Sequence, residues 1–268
     1  MNNNSLSNST TNLSTTTEII CCCSIECCCQ KNIKLEQTNN LLKEENIELK
    51  SELEQLHKIT EKIAIFIKIS NKIINVDDMA TCCENKCINK DLKEGFCINK
   101  NGYVNVLNNG KIKYYLGPNE VNNKGIRLYA KNSFNRKDCY SKRYSLFYYE
   151  VKMIKETNDY CCAAIGFNDK SSRIFLCNNI MSHCEDYQKF SWKDGDVFGC
   201  GVVFQPNKES NTIVFFTKNG NKISNPIFLE EIDKLIPKIG LKAISVEVNF
   251  GYDLATKPFI YDVNKHFC

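Results

Sequence analysis

Seventeen cysteines and three histidines hold most of this chain's capacity for chemistry. Six of the cysteines stand in one decapeptide, CCCSIECCCQ: Cys21, Cys22, Cys23, Cys27, Cys28 and Cys29. Clustered thiols in a cytosolic tail can carry several lipid chains, and two or more such chains anchor a protein stably to a membrane. They can also bind a metal as thiolates, although adjacent triplets do not reproduce the C-x-x-C spacing of a zinc knuckle and no histidine is near. Compositional bias without any role is the third reading. Four more cysteines, Cys82, Cys83, Cys87 and Cys97, follow a CC-x3-C-x9-C pattern. Four thiols suffice for zinc, yet this spacing also matches no pair of knuckles, so a loop with buried or free thiols is expected. On these grounds neither a metal nor a cofactor is expected.

Catalysis finds no constellation. His57, His183 and His266 fall in a helical stretch, a polar loop and the tail. No Ser-His-Asp set, HExxH pair or phosphate-cradling glycine loop occurs around them. His183 precedes Cys184, but adjacency in sequence does not orient a base toward a nucleophile. A non-enzymatic protein is expected. The formal net charge of +4 is small for 268 residues and shows no concentrated basic face, which argues against a nucleic-acid partner.

The elements that must carry these residues change character along the chain. Residues 1–20 are rich in Asn, Ser and Thr and cannot bury enough surface to offset chain entropy. They show no basic segment and apolar run of a signal peptide. Residues 1–30 are therefore expected to form a disordered tail. The most apolar later run, Ile63 to Val76, is too short and too lysine-interrupted to span a bilayer. A cytoplasmic protein with reduced thiols follows, membrane-associated only through acylation and with the nucleus left open.

Over residues 31–74 the pattern has period seven. Leu35, Leu42, Leu49, Leu56 and Ile63 share one heptad position, and Asn39, Asn46, Leu53, Thr60 and Ile67 share the other. Leucine at d with asparagine at a favours a parallel two-stranded coiled coil, so a homodimer through residues 31–74 is expected. Residues 75–94 read as a linker.

From residue 95 to 264 the signals are those of an all-β domain. Tyr103–Leu107 and Lys111–Leu116 flank an Asn-Asn-Gly turn. Gly125–Ala130 and Leu146–Ile154 are strands, with Cys161–Phe167 the expected neighbour of the latter. Residues 168–191 read as loop. Val197–Phe204 and Ile213–Thr217 are strands joined by a polar connection, and Asn219-Gly220 is a tight turn. Ile227–Leu229, Pro237–Leu241, Ser245–Phe250 and Phe259–Val263 complete the set. Short strands separated by turns imply a sandwich rather than alternating βαβ units.

Seven short segments then occur in order: YYEVKM (148–153), AIGF (164–167), GDVFGCGV (195–202), FFTKNG (215–220), IPKIGL (236–241), VNFG (248–251) and PFIYD (258–262). Together they resemble the SPRY domain, in the branch found in Ran-binding protein M and related ubiquitin-ligase adaptors. The resemblance covers roughly residues 95–262. It implies a bent sandwich of two antiparallel sheets that binds short peptide segments of partner proteins through loops at one edge. The chain departs from the family between AIGF and GDVFGCGV, where a Gly-Trp is missing, and it inserts YDLATK before PFIYD.

On this resemblance Arg127 matches an arginine that contacts peptide in some members. Trp192, the lone tryptophan, suits core packing and a binding anchor alike. Gly199, Gly201, Gly220 and Gly251 are expected to serve the backbone, and Asp196 and Asn249 to satisfy loop amides. Thr217 and Asn219 join that structural set. The leading function is peptide binding by a coiled-coil-dimerised interaction module. Recruitment of a ubiquitin ligase in trans and sugar binding by a lectin-like sandwich stand as alternatives.

Overall fold

A computed structural model describes residues 25–76, 82–85, 87, 97–107, 109–157, 161–168, 173–177, 188–189, 191–207, 210–223 and 225–268. The expectations for residues 1–24, His183 and Cys184 lie outside the described residues, as do the side chains of Cys27, Cys28 and Cys29. The chain divides into an N-terminal unit ending at His57 and a larger unit from Lys58 onward.

One long helix, α1 (Ile25–Glu61), spans 37 residues without an internal Gly or Pro. Its leucine, glutamate and lysine content favours helix throughout. Leu35, Leu42, Leu49 and Leu56 are between 49% and 62% exposed. Among the described residues, no helix is long and apolar enough to cross a membrane.

The helix stops at Glu61, well short of residue 74. Beyond it Ile63, Ile65, Ile67 and Ile69 alternate with other residues, and β-branched residues in a two-residue period favour strand over helix. The heptad matches at Ile63 and Ile67 are thus strand alternation: Ile63 bridges Phe267, and Ile65–Phe66 pairs into a sheet.

The sandwich accordingly begins about thirty residues before Gly95. Its strands in chain order are β1 (Ile65–Phe66), β2 (Ile73–Val76), β3 (Tyr103–Val106), β4 (Lys111–Tyr115), β5 (Ile126–Ala130) and β6 (Phe134–Asn135). There follow β7 (Ser145–Lys155), β8 (Cys162–Asn168), β9 (Arg173–Cys177), β10 (Gln188–Lys189) and β11 (Val197–Phe204). The last are β12 (Thr212–Lys218), β13 (Asn221–Lys222), β14 (Ile227–Leu229), β15 (Lys234–Lys242) and β16 (Ile244–Asn249). One sheet runs β13-β12-β11-β7-β16-β4-β3, with β1 beside β7 and β14 beside β12. The other runs β10-β9-β8-β15-β5-β2, with β6 beside β15.

Phe147, Tyr149, Val151 and Met153 of β7 face the other sheet and join Phe198, Cys200, Val202 and Phe204 of β11 in the main core. Leu146, Tyr148 and Glu150 face the opposite way, yet they too are buried. Their cover is a second apolar cluster built with Ala64, Phe66, Phe259, Tyr261 and Val263. The segments on either side of the sandwich therefore form a third layer. This explains why β7 reads as a continuous hydrophobic run instead of an alternating one.

Three further expectations are corrected. β8 does not lie beside β7; it pairs with β15 and β9 in the other sheet, because both of β7's edges are taken by β11 and β16. Residues 168–191 include β9 and β10. Phe259–Val263 forms no strand, since its amides turn to a side-chain carboxylate: the Ile260 and Tyr261 N–H groups both donate to Glu150 at 3.0 Å.

Candidate functional site

The family-like residues form two networks. In the first, a Cβ built on Gly199 would lie 1.8 Å from Tyr148 Oη and 2.3 Å from Thr217 Oγ1. Those two hydroxyls are themselves 2.7 Å apart, and Tyr148 Oη also donates to Glu150 at 3.1 Å. A Cβ on Gly201 would enter the Phe215 ring at 2.1 Å. Both glycines are gaps that admit the outer-face aromatics beneath the C-terminal segment.

The second network locks two turns together. Asp196 accepts from the Lys193 amide at 2.8 Å and from Asn219 Nδ2 at 2.9 Å, and pairs with Lys218 at 2.9 Å. Burial alone would raise the Asp196 carboxyl, but these hydrogen bonds and the Lys218 ammonium outweigh it and hold the carboxyl below the usual range. Asn219 Oδ1 accepts from the Val197 amide, and Asn219 itself takes a φ of 49° before Gly220 at 82°. None of these residues lines the groove described next.

Open space lies elsewhere. A groove of about 580 Å³ is walled by the entry to β2 (Ser70–Ile74), the turn after β3 (Val106–Gly110) and the end of β16 with its loop (Val248–Lys257). β2 and β3 are the edge strands of the two sheets on the same side of the sandwich. The walls are preformed by hydrogen bonds. Asn71 Nδ2 donates to the Asn132 carbonyl at 2.7 Å, and the Val248 amide donates to the Gly110 carbonyl at 2.9 Å. Asn249 Nδ2 donates to the Lys257 carbonyl, while its Oδ1 accepts from the Gly251 amide. Gly251 has a φ of 74°.

The groove presents apolar surface beside polar groups. Ile74, Leu107 and Tyr252 are exposed there, at 44%, 43% and 66%. Lys257 Nζ lies 3.0 Å from Glu247 and 3.4 Å from the Asn109 carbonyl. The Asp253 carboxyl is lowered by the hydroxyl and amide of Thr256. Neither Arg127 nor Trp192 lines the groove. Arg127 stands half-buried on β5, opposite Gly240, and Trp192 packs half-buried on the main core ahead of β11. Arg127 lies on a strand and Trp192 on a connection. Of the residues singled out in the sequence, Asn249 alone reaches the groove wall, and Ile74, Leu107 and Tyr252 carried no local signal.

The remaining candidates for chemistry are a histidine and a thiol cluster. His266 is buried, with Nδ1 2.8 Å from Tyr261 Oη and its ring 4.4 Å from that of Phe215. The Sγ atoms of Cys82, Cys83, Cys87 and Cys97 all lie within 4.8 Å of one another, although their spacing suggested no such gathering. Burial raises the Cys82 thiol to about 12 and raises that of Cys97.

No family model matches the chain, and no curated protein matches it. Solved structures with a similar fold include a human SPRY domain at 15% identity and a TM-score of 0.38, covering 56% of this chain and 97% of that one. The SPRY domain of human HERC1 matches at 13% identity and 0.36, over 59% and 99% of the two chains. Lectin UEA-II complexed with galactose matches at 11% and 0.32, over 55% and 89%.

Proposed function

We propose that this protein is a non-enzymatic interaction module that takes short peptide segments of partner proteins into the groove between β2 and the β3–β4 turn. The observation that carries this reading is the groove itself. Its volume of about 580 Å³ falls in the range of ligand pockets, and its wall sets exposed Ile74, Leu107 and Tyr252 among fixed polar groups. An aromatic anchor with apolar flanks is the usual composition of a peptide-binding hot spot. The seven ordered segments resembling a SPRY domain support the same class of function.

Peptides selected from a displayed random library against the full chain test this directly, with affinities read by calorimetry. Tyr252→Ala and Ile74→Ser are expected to weaken the selected peptides by about tenfold or more, the loss typical of an interface hot spot. Arg127→Ala is expected to leave them unchanged. The opposite pattern would move the site to Arg127, the residue that the family resemblance singles out.

Dimerisation through α1 doubles the presented grooves and raises avidity toward repeated peptides. It is supported by the exposed leucines at one heptad position. Sedimentation should give a dimer for the full chain and a monomer for Leu42→Lys with Leu49→Lys. A monomeric unmodified chain would defeat the dimer.

A further inference from the structure

The crossing from β2 to β3 carries the cluster of Cys82, Cys83, Cys87 and Cys97. β2 ends at Val76 and β3 begins at Tyr103, so the crossing spans from the edge of one sheet to the edge of the other. Three of the four cysteines are buried and the fourth, Cys83, is half-buried. Cys83 Sγ lies 3.5 Å from Cys87 Sγ and 4.0 Å from Cys82 Sγ. A tetrahedral site with metal–sulfur bonds of about 2.3 Å has sulfur–sulfur edges of about 3.8 Å. The cluster brackets that edge length and stays inside 4.8 Å throughout.

The backbone around the sulfurs provides an independent observation. The Asn101 amide donates to Cys97 Sγ at 3.1 Å. This turn aims an N–H group at sulfur. A neutral thiol is a weak acceptor, whereas a metal-bound thiolate accepts hydrogen bonds strongly. The turn from Cys97 closes on itself through Lys100, whose φ is 56°, with the Cys97 carbonyl accepting at 2.7 Å and the Asn101 carbonyl at 2.9 Å. Asn101 Nδ2 then reaches across to the Cys82 carbonyl at 2.7 Å, tying the two halves of the cluster together.

We propose that Cys82, Cys83, Cys87 and Cys97 form a tetrathiolate zinc site that clamps the two sheet edges at the β2–β3 crossing. Four sulfur donors in tetrahedral reach select zinc over magnesium or calcium, which take oxygen ligands. Zinc with four protein ligands keeps no open position, so the site is structural. It holds the far ends of the two strands whose near ends wall the groove: Ile73 and Val106 line the groove, while Val76 and Tyr103 lead to the cluster. The cysteines fall outside the C-x-x-C rule, and it is the fold of the β2–β3 crossing that gathers them.

The test uses the full chain purified under reducing conditions from zinc-supplemented cells, with metal content measured by plasma mass spectrometry. A companion variant in which Cys21, Cys22, Cys23, Cys27, Cys28 and Cys29 are all serine removes the other dense thiol cluster. Zinc in equimolar amount is expected in both proteins, and Cys83→Ser with Cys97→Ser is expected to lose it. Because that variant can fail to fold for lack of packing, the unmodified sequence is also stripped with a high-affinity zinc chelator. Its Tm should fall by about 5 °C or more and recover with zinc but not magnesium. Cobalt refilling should give the visible bands of a tetrahedral thiolate complex. The proposal is overturned if metal content tracks the N-terminal cysteines, or if the chelator leaves Tm unchanged. It is equally overturned by a Cys83–Cys87 disulfide found in the reduced preparation, or by iron in place of zinc.

Discussion

Lowering the pH should destabilise the folded protein through His266. The imidazole is buried between Tyr261 and Phe215, and burial, helped by the nearby Lys222 ammonium, depresses its pKa from the ordinary 6.5 to about 4. In the unfolded chain His266 takes up a proton near pH 6.5, whereas in the folded protein it stays neutral until about pH 4. Between those values the unfolded state binds more protons, so stability rises with pH and is lost as the pH falls. That fall, from 6.5 to about 4, corresponds to roughly 3 kcal/mol, complete below pH 4 and absent above pH 7. With a urea dependence of about 2–3 kcal/mol per molar, the midpoint should drop by roughly 1 M between pH 7 and pH 4. Other groups titrate in this range. Glu150, whose carboxyl is raised mainly by burial, opposes the trend, because the folded state then holds the extra proton. The comparison is therefore the difference between the unmodified chain and His266→Gln. Gln keeps a polar partner for Tyr261 and does not titrate. The urea midpoints should converge as the pH falls from 7 to 4, with Gln losing far less. Parallel curves across that interval would refute the assignment, and an NMR titration showing His266 charging near pH 6.5 would refute it independently.

Two further expectations concern the outer cluster. Gly199→Ala and Gly201→Ala should each destabilise by about 1–3 kcal/mol in urea melts, since the added methyl must displace Tyr148, Thr217 or the Phe215 ring. Gly125→Ala, with nothing within 4 Å of its Cβ, should cost no more than about 0.5 kcal/mol; equal losses at all three positions would remove the packing explanation. Glu150→Leu should leave the part-buried Ile260 and Tyr261 amides without their acceptor, at about 1 kcal/mol for each N–H, and speed their hydrogen exchange. Unchanged protection there would mean that the carboxylate does not hold the C-terminal segment.

Much of the sandwich was legible because its strands announce themselves locally. The Asn-Gly turn after Lys218, the hairpin between β3 and β4 and the long β7 all rest on neighbours in sequence. What escaped was decided by distant partners. Ile63–Ile69 satisfies both a heptad and a two-residue period, and distant partners break the tie: Ile65–Phe66 pairs with the start of β7, the Ala64 amide donates to the His266 carbonyl, and Ile63 bridges Phe267. Phe259–Val263 has strand-forming residues, but a glutamate more than a hundred positions earlier offers its amides a better acceptor than any neighbouring strand.

The same physics separates the two sites from the motifs. Glycines such as Gly199 and Gly201 are readable because a missing side chain leaves a constant trace in the sequence, but that trace marks close packing and not ligand contact. A groove leaves no such trace. Its three walls come from residues 70–74, 106–110 and 248–257, which meet only because β2 and β3 each end a sheet on the same side and the Val248 amide donates to the Gly110 carbonyl across the corner. The thiol cluster obeys the same rule, its four sulfurs delivered by a crossing that joins those two edge strands. Edges are where an antiparallel sandwich has unpaired backbone and must be closed by something other than a further strand. In this protein a cysteine cluster lies at one end of the open side and a recessed groove at the other, so the fastening and recognition proposed above would divide a single edge between them.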